Sequence, residues 1–374
     1  MDSIWTKTAQ LPQFEPLRSD LRTDVLVIGG GMAGLLCAWR LRQAGVDCVL
    51  VEADRLCGGT TKNTTAKLTV QHGLIYHRLL KELGLARTKL YLHANLAALE
   101  EYRRLCRTID CDFQEKDSFV YATGSRRKLD QELEALERLG YPAQFVPEVP
   151  LPVPAAGAVR LEGQAQFHPL KFAAGIAGEL RIFEHTKVLE LLPGRAVTSG
   201  GTISAERMIV ATHFPLLNKH GGYFLKLYQH RSYVLALENA PDVGGMYVDE
   251  AETGLSFRNY GDLLLLGGGG HRTGKGGGGW KELEAFAARH YPKARVAARW
   301  AAQDCMSLDG APYVGLYSGG TSGLYVASGF NKWGMTSSMA AAMILTDMAL
   351  GRDHPCAPAF DPSRTVRRPQ LAVN

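Results

Sequence analysis

Asp24-Val-Leu-Val-Ile-Gly-Gly-Gly-Met-Ala-Gly34 decides the fold. Val25 to Ile28 is a continuous apolar run, the pattern of a strand buried on both faces of a parallel sheet. It runs directly into Gly29-x-Gly31-x-x-Gly34, after which residues 35–43 read as an apolar helix stopped by Gly45. Asp47-Cys-Val-Leu-Val-Glu52 then reads as a second buried strand ending in an acid, 21 residues after Gly31. Glycines at this turn let the chain bend tightly, let a pyrophosphate reach the backbone and let helix pack on strand. The helix start adds unpaired N–H groups and a partial positive charge. Gly29, Gly31 and Gly34 with Glu52 therefore predict an adenine dinucleotide site, the acid taking ribose hydroxyls.

Outward from this unit, a Gly/Thr-rich loop covers residues 58–69, and Leu and Ala recur at helical spacing over 75–107. A strand is expected at 118–123 and a helix at 126–139. The proline-rich stretch 147–154 reads as a connector between lobes. A helix at 171–180 precedes short strands at 186–192, 196–199, 202–204 and 208–211. From 223 to 266 aromatic and β-branched residues without a long helix predict a separate antiparallel sheet. A helix at 281–290, a buried strand at 323–328, a long Ala/Met-rich helix at 335–350 and an irregular tail complete the chain.

The 374 residues carry 42 Lys plus Arg against 37 Asp plus Glu, scattered without basic blocks, so nucleic acid is not suggested. Seven cysteines without a C-x-x-C pair give neither a disulfide framework nor a zinc site, and no metal is expected. The acidic N-terminus lacks the pattern of a signal peptide and no run reaches a membrane span, so a cytoplasmic protein is expected. Gly269-x-x-x-x-Gly274-Lys275 imitates a triphosphate loop, but Gly276 stands where Ser or Thr must meet magnesium. Residues 276–279, all glycine, suggest a flexible hairpin tip rather than a helix start. No H-E-x-x-H and no G-x-S-x-G elbow is present.

The order of pieces carries a resemblance. The first βαβ unit, Gly58-Gly-Thr-Thr-Lys-Asn-Thr-Thr-Ala-Lys67, Met208-Ile-Val-Ala-Thr212, Asp309-Gly-Ala-Pro312 and Gly329-Phe-Asn-Lys-Trp-Gly-Met335 together resemble the FAD-dependent D-amino acid oxidase (DAO) superfamily, glycine and sarcosine oxidases among them. Thr-Thr-Ala-Lys67 with Gln71-His-Gly73, and Asn331 to Ser337, are similar to a bacterial branch often fused to a Rieske domain. The sequence shows no Cys/His pairs for such a cluster.

The resemblance implies an α/β fold: a discontinuous Rossmann-like FAD domain over 1–100, 155–215 and 305–374, and an α+β substrate domain on a mostly antiparallel sheet over 101–154 and 216–304. It implies that Gly29, Gly31 and Gly34 hold the pyrophosphate, with Met32 and Ala33 beside them, and that Glu52 and Ala53 meet the ribose. Gly59, Thr60, Thr61, Asn63, Thr64 and Thr65 would follow the ribityl chain and ring, Val188 adenine, and Ala211 and Thr212 the second flavin segment. His213 stands where Gly is common. Gly329, Asn331, Lys332, Trp333, Gly334 and Met335 would bring a helix start to the ring edge where charge develops on reduction.

The implied activity is hydride transfer from the carbon of an amine or amino acid to flavin N5, with noncovalent FAD. Lys67 is a candidate for the N5 region, Arg258 for a bidentate carboxylate clamp, and His72 and His271 for flavin-proximal roles. Cys305 lies near where some relatives attach flavin covalently. Oxygen, or a separate carrier such as an iron–sulfur protein, is left open as acceptor. A non-catalytic FAD-binding protein and a nicotinamide-dependent dehydrogenase are the rivals.

Overall fold

The computed structural model describes residues 2–217 and 220–365. The strand Leu21–Ile28 lies at the centre of an eight-stranded sheet. It pairs in parallel with Cys48–Val51 on one side and Thr202–Val210 on the other. Arg181–Phe183 and Leu324–Ser328 extend the parallel set outward, and Tyr313–Leu316 closes one edge antiparallel. The helix Met32–Gln43 covers one face, its Leu35, Leu36 and Leu41 fully buried. Apolar residues on both faces of the first strand are thus explained by a sheet covered on both sides.

A second sheet of nine strands runs in the order Arg295–Ser307, Leu227–Glu238, Leu263–Arg272, Ser256–Tyr260, Met246–Asp249, Gln114–Tyr121, Ala158–Gln166, Lys67–Leu68, with Gln144–Val146 beside Ala158–Gln166. All its pairings are antiparallel except that of Met246–Asp249 with Gln114–Tyr121. The chain leaves the parallel sheet after residue 51 and again after 210, each time supplying strands to the second sheet before returning. The expected α/β architecture with a mostly antiparallel second sheet is the one observed.

Several boundaries differ from expectation. Residues 147–154 do not connect lobes, because they join Gln144–Val146 to Ala158–Gln166, neighbours paired from Val146 to Ala158 in one sheet. Prolines suit this loop because it owes no ladder hydrogen bonds. The strand Ala158–Gln166 thus belongs to the second sheet, past the expected crossing at 155, and Arg295–Ser307 runs beyond 304. The strands at 202–204 and 208–211 are one, Thr202–Val210, since pairing with the first strand continues through Arg207. A helix, Gly279–His290, does begin at the glycine run. The strand before it lies in the antiparallel sheet, so the arrangement is still not that of a triphosphate loop. Residues 75–107 form Tyr76–Cys106 with a break at Gly84, where φ is 77°.

The polar lead also contains an unforeseen anchor. Trp5, in the short helix Ile4–Thr8, is fully buried, and its Nε1 donates to Thr64 O at 2.7 Å.

Candidate functional site: a dinucleotide cradle opening onto a sheet floor

The two sheets meet at a cavity of about 670 Å³. One end is the turn after the first strand, where Gly29, Gly31, Met32 and Ala33 form the wall. Gly29 has φ 110°, and a Cβ there would lie 2.6 Å from Ala211 O. Gly34 faces away from the cavity; a Cβ on it would fall 1.8 Å from Gly29 O, so its role is to let the helix seat on the turn. Gly31 differs, because a Cβ would meet only Thr61 Oγ1, at 3.6 Å. Its open side is the cradle. Gly31 is also the N-cap and offers no side-chain acceptor, so the helix start presents its positive end to the cavity.

Glu52 and Ala53 line the same end. The Glu52 carboxylate accepts from Gly30 N at 2.6 Å and from Asp54 N at 2.9 Å, which fixes the acid at the end of its strand. Val188 lies further along this wall.

The middle of the cavity is the loop expected to follow a flavin. Gly59, Thr60, Thr61, Asn63, Thr64 and Thr65 all line it. The second sheet holds the loop in place: Thr60 Oγ1 donates to Gln303 O at 3.1 Å and Trp300 Nε1 to Asn63 O at 2.9 Å. Thr61 Oγ1 accepts from Met32 N at 3.0 Å, tying the loop to the helix start. Ala211 and Thr212 line the opposite side. His213 adopts φ 66°, a left-handed conformation that explains why glycine suits this position.

At the far end lie Gly329, Asn331, Lys332, Trp333, Gly334 and Met335. Asn331, itself at φ 54°, organises the turn: its Oδ1 accepts from Ser307 N at 3.0 Å and its Nδ2 donates to Gly310 O at 2.8 Å. The helix Gly334–Ala349 starts here without a side-chain cap. A dinucleotide with an isoalloxazine ring fits this set: two helix starts whose N-cap residues supply no side-chain acceptor, a glycine with an open side and one continuous cavity between them.

The four polar residues singled out for chemistry separate. Lys67 lines the cavity, donates from Nζ to Thr65 Oγ1 at 3.1 Å, and is pushed down to about 7 by burial and then by Arg258. Arg258 does not reach the cavity. It is fully buried, donates from Nη1 to Ala66 O at 2.8 Å and lies 5.5 Å over the Trp5 ring, while its Nε and Nη2 have no partner among the described residues. His72 lines the cavity and stacks on Trp333 with centroids 5.2 Å apart, but both ring nitrogens are taken. Nε2 donates to Thr69 O at 2.9 Å and Nδ1 accepts from the Tyr91 hydroxyl at 2.6 Å, while burial pushes its pKa down to about 3. It acts as a neutral support for Trp333. His271 is off the cavity wall, with Nε2 3.0 Å from the Tyr233 hydroxyl and Nδ1 donating to Arg272 O at 3.0 Å.

Sequence reasoning missed the floor of the cavity. Ser232, Tyr233, Val234, Ala302 and Asp304 line it from the strands Leu227–Glu238 and Arg295–Ser307. The period-two alternation Trp300, Ala302, Asp304, Met306 was the available signal. Cys305 is buried with its thiol pushed up to about 11, far from the thiolate range. Among the described residues no cluster of three or more His, Cys, Asp or Glu could hold a metal ion, and no helix is long and apolar enough to cross a membrane.

Known proteins were compared with this architecture. The family described as FAD dependent oxidoreductase (DAO) matches residues 24–348. YhfW of Bacillus subtilis (strain 168), which bears the name of a Rieske 2Fe-2S iron-sulfur protein, is 32% identical over 99% of this chain and 77% of its own length. Gamma-glutamylputrescine oxidoreductase of Escherichia coli (strain K12) is 26% identical over 53% of this chain and half of its own. The crystal structure of glycine oxidase from Geobacillus kaustophilus superposes with a TM-score of 0.77 over 93% of this chain and 100% of that one, at 21% identity. With the family match spanning the cradle, the floor and the second helix start, the chain belongs to the DAO family of FAD-dependent oxidoreductases.

Proposed function

We propose that the protein oxidises an amine or amino acid by moving a hydride from the carbon bonded to nitrogen onto flavin N5, with FAD held noncovalently. The observation carrying this reading is the single cavity that runs from the Gly31 helix start, past the threonine loop, to the sheet floor. Bound FAD supplies the two-electron acceptor. This chain's residues do the rest. The uncapped start of Gly334–Ala349 offers its positive end where negative charge would grow. Trp300 and Trp5 fix the loop that carries Asn63 and Thr64 by direct hydrogen bonds. Lys67, neutral above a pH of about 7, is a group at the cavity able to take a proton at Nζ.

A second reading concerns the acceptor that reoxidises the flavin. The likeness to a protein named for a Rieske cluster, over 99% of this chain, favours an iron–sulfur carrier over oxygen. Both readings are tested by one preparation. The purified protein should be yellow and should release its flavin into the supernatant on acid precipitation. Anaerobic addition of amines and amino acids should bleach it with at least one compound. If no compound bleaches a protein that retains FAD, the catalytic reading is overturned. Reduced protein that passes electrons to a Rieske-type carrier but reoxidises slowly in air supports the second reading, and fast reoxidation by oxygen refutes it.

A further inference from the structure

Opposed residues of an antiparallel pair share a face of the sheet. His230 opposes Asp304 and Ser232 opposes Ala302, so Ser232 and Asp304 are diagonal neighbours on the floor of the cavity. Four carboxylates besides Glu52 line the cavity. Three are engaged. Asp249 accepts from Ala251 N at 2.9 Å, Glu250 pairs with Lys128 Nζ at 2.6 Å, and Glu252 accepts the Tyr228 hydroxyl at 3.1 Å. The Asp304 carboxylate has no hydrogen bond or ion pair among the described residues, and burial raises its pKa to about 7. The Ser232 hydroxyl, diagonal to it across the strand pair, is buried and also has no partner.

Apart from Lys187, next to Val188 on the far wall, the lysines and arginines lining this cavity are otherwise occupied. Lys332, the one whose charge reaches Asp304, donates from Nζ to Glu252 O at 2.5 Å. Arg78 donates to Leu308 O at 2.5 Å and pairs with Glu82, and Lys67 sits on Thr65. Arg258 lies behind the wall with only its Nη1 engaged, on Ala66 O, and is not on the cavity lining. The floor therefore offers acceptors without partners and no guanidinium for a carboxylate. An ammonium has three donors and no acceptor, which complements a carboxylate with a hydroxyl beside it. An α-amino acid would bring its own carboxylate against Asp304, like charge to like charge in a poorly solvated space.

We propose that Asp304, assisted by Ser232, anchors the ammonium group of the substrate and selects amines that lack an α-carboxylate. This rests on the amine-oxidising reading above and narrows its substrate class. The test uses the FAD-loaded protein. tert-Butylammonium, which keeps three N–H donors but has no hydrogen on the carbon bonded to nitrogen and so cannot be oxidised, and acetate are titrated calorimetrically; butylamine and 1,4-diaminobutane are compared with norvaline and ornithine in anaerobic flavin reduction.

The expected result is binding of the cation and not of acetate, and faster reduction by the amines. Asp304→Asn should weaken cation binding and raise KM for amines at least about tenfold, while flavin content stays unchanged. Asp304→Glu, which keeps the charge, should recover most of the affinity, and Ser232→Ala should lose less than Asp304→Asn. A preference for acetate or for the amino acids overturns the proposal, as does Asp304→Asn binding the cation within about twofold of the parent protein. If Asp304→Asn loses FAD, the Glu and Ser232→Ala variants decide: equal loss of cation affinity in both, or none in either, overturns the assignment. If no amine or amino acid reduces the flavin, the proposed reaction fails, while the cation titration still reads the role of Asp304 separately.

Discussion

At the scale of single residues, the glycines of the first turn were legible because each answers a steric demand that sequence spacing expresses directly. Gly31 and Gly34 nevertheless do different work, and paired variants separate them. Gly34→Val would drive a side chain into Gly29 O, where even a Cβ would sit at 1.8 Å, and should give insoluble or unfolded protein. Gly31→Val keeps an ordinary φ of −77° and its Cβ meets only Thr61 Oγ1, at an ordinary contact distance, so it should fold with an unchanged far-UV spectrum yet purify colourless. A yellow Gly31→Val protein would refute the cradle. The roles of Lys67, Arg258, His72 and His271 were not legible, because the same side chain is a catalyst or a support depending on which neighbour takes its hydrogen bonds. Those neighbours, Ala66 O for Arg258, the Tyr91 hydroxyl for His72 and Tyr233 for His271, come from elements brought together only by the fold.

Lys67 gives a prediction with a definite sign. Its pKa falls from the usual lysine value of 10.5 to about 7 in the folded protein. Between these limits the unfolded chain holds a proton that the folded chain does not, so stability rises with pH across that window and is lost as pH falls toward 7. Lys67→Met should remove this part of the slope of the urea midpoint against pH. In anaerobic flavin reduction the parent protein should speed up as pH rises through about 7, and the variant should lack that inflection. An inflection that survives in Lys67→Met assigns it to another group.

At the scale of elements, the long helix Tyr76–Cys106 shows what patterning reveals and what it hides. Helical spacing of Leu and Ala exposed its extent, because burial of one face is a periodic demand. The closure of its first turn was hidden, since the acceptor comes from another helix. Glu132, buried in Arg127–Leu139, accepts from Tyr76 N at 2.9 Å and His77 N at 2.8 Å. Burial alone raises its carboxyl to about 7, against the lowering by these same amides. Glu132→Ala leaves two helix-start amides without an acceptor in a place water does not reach, and should cost about 3 kcal/mol in urea unfolding. A loss below about 1 kcal/mol would mean that water replaces the carboxylate. The stretch 147–154 failed at this scale for a related reason. Prolines report where a ladder cannot run, but not whether the strands on either side belong to one sheet or two.

For the whole molecule, the discontinuous assembly means that the cavity depends on contacts between segments far apart in sequence. Arg364 makes one such contact. Its Nε and Nη2 donate to the two oxygens of Asp309 at 2.6 and 2.9 Å, and its Nη1 and Nη2 also donate to Pro312 O and Ala311 O. This buried pair holds the segment 309–312, and Gly310 in that segment accepts from Asn331 Nδ2, which shapes the turn at the ring end of the cavity. Arg364→Met leaves the Asp309 charge buried and alone, an effect of about 3–5 kcal/mol. The expected outcome is a lower melting temperature together with weaker FAD retention, because the damage reaches Asn331. Adding Asp309→Asn to the same chain should restore part of the melting temperature by removing the stranded charge. Excess FAD should stabilise the single variant through linkage, by about 2.7 kcal/mol at a hundredfold excess over its dissociation constant. If Arg364→Met lowers the melting temperature but binds FAD as tightly as the parent chain, then the segment 309–312 serves stability alone and the ring end of the cavity is held by Asn331 and Ser307 without it.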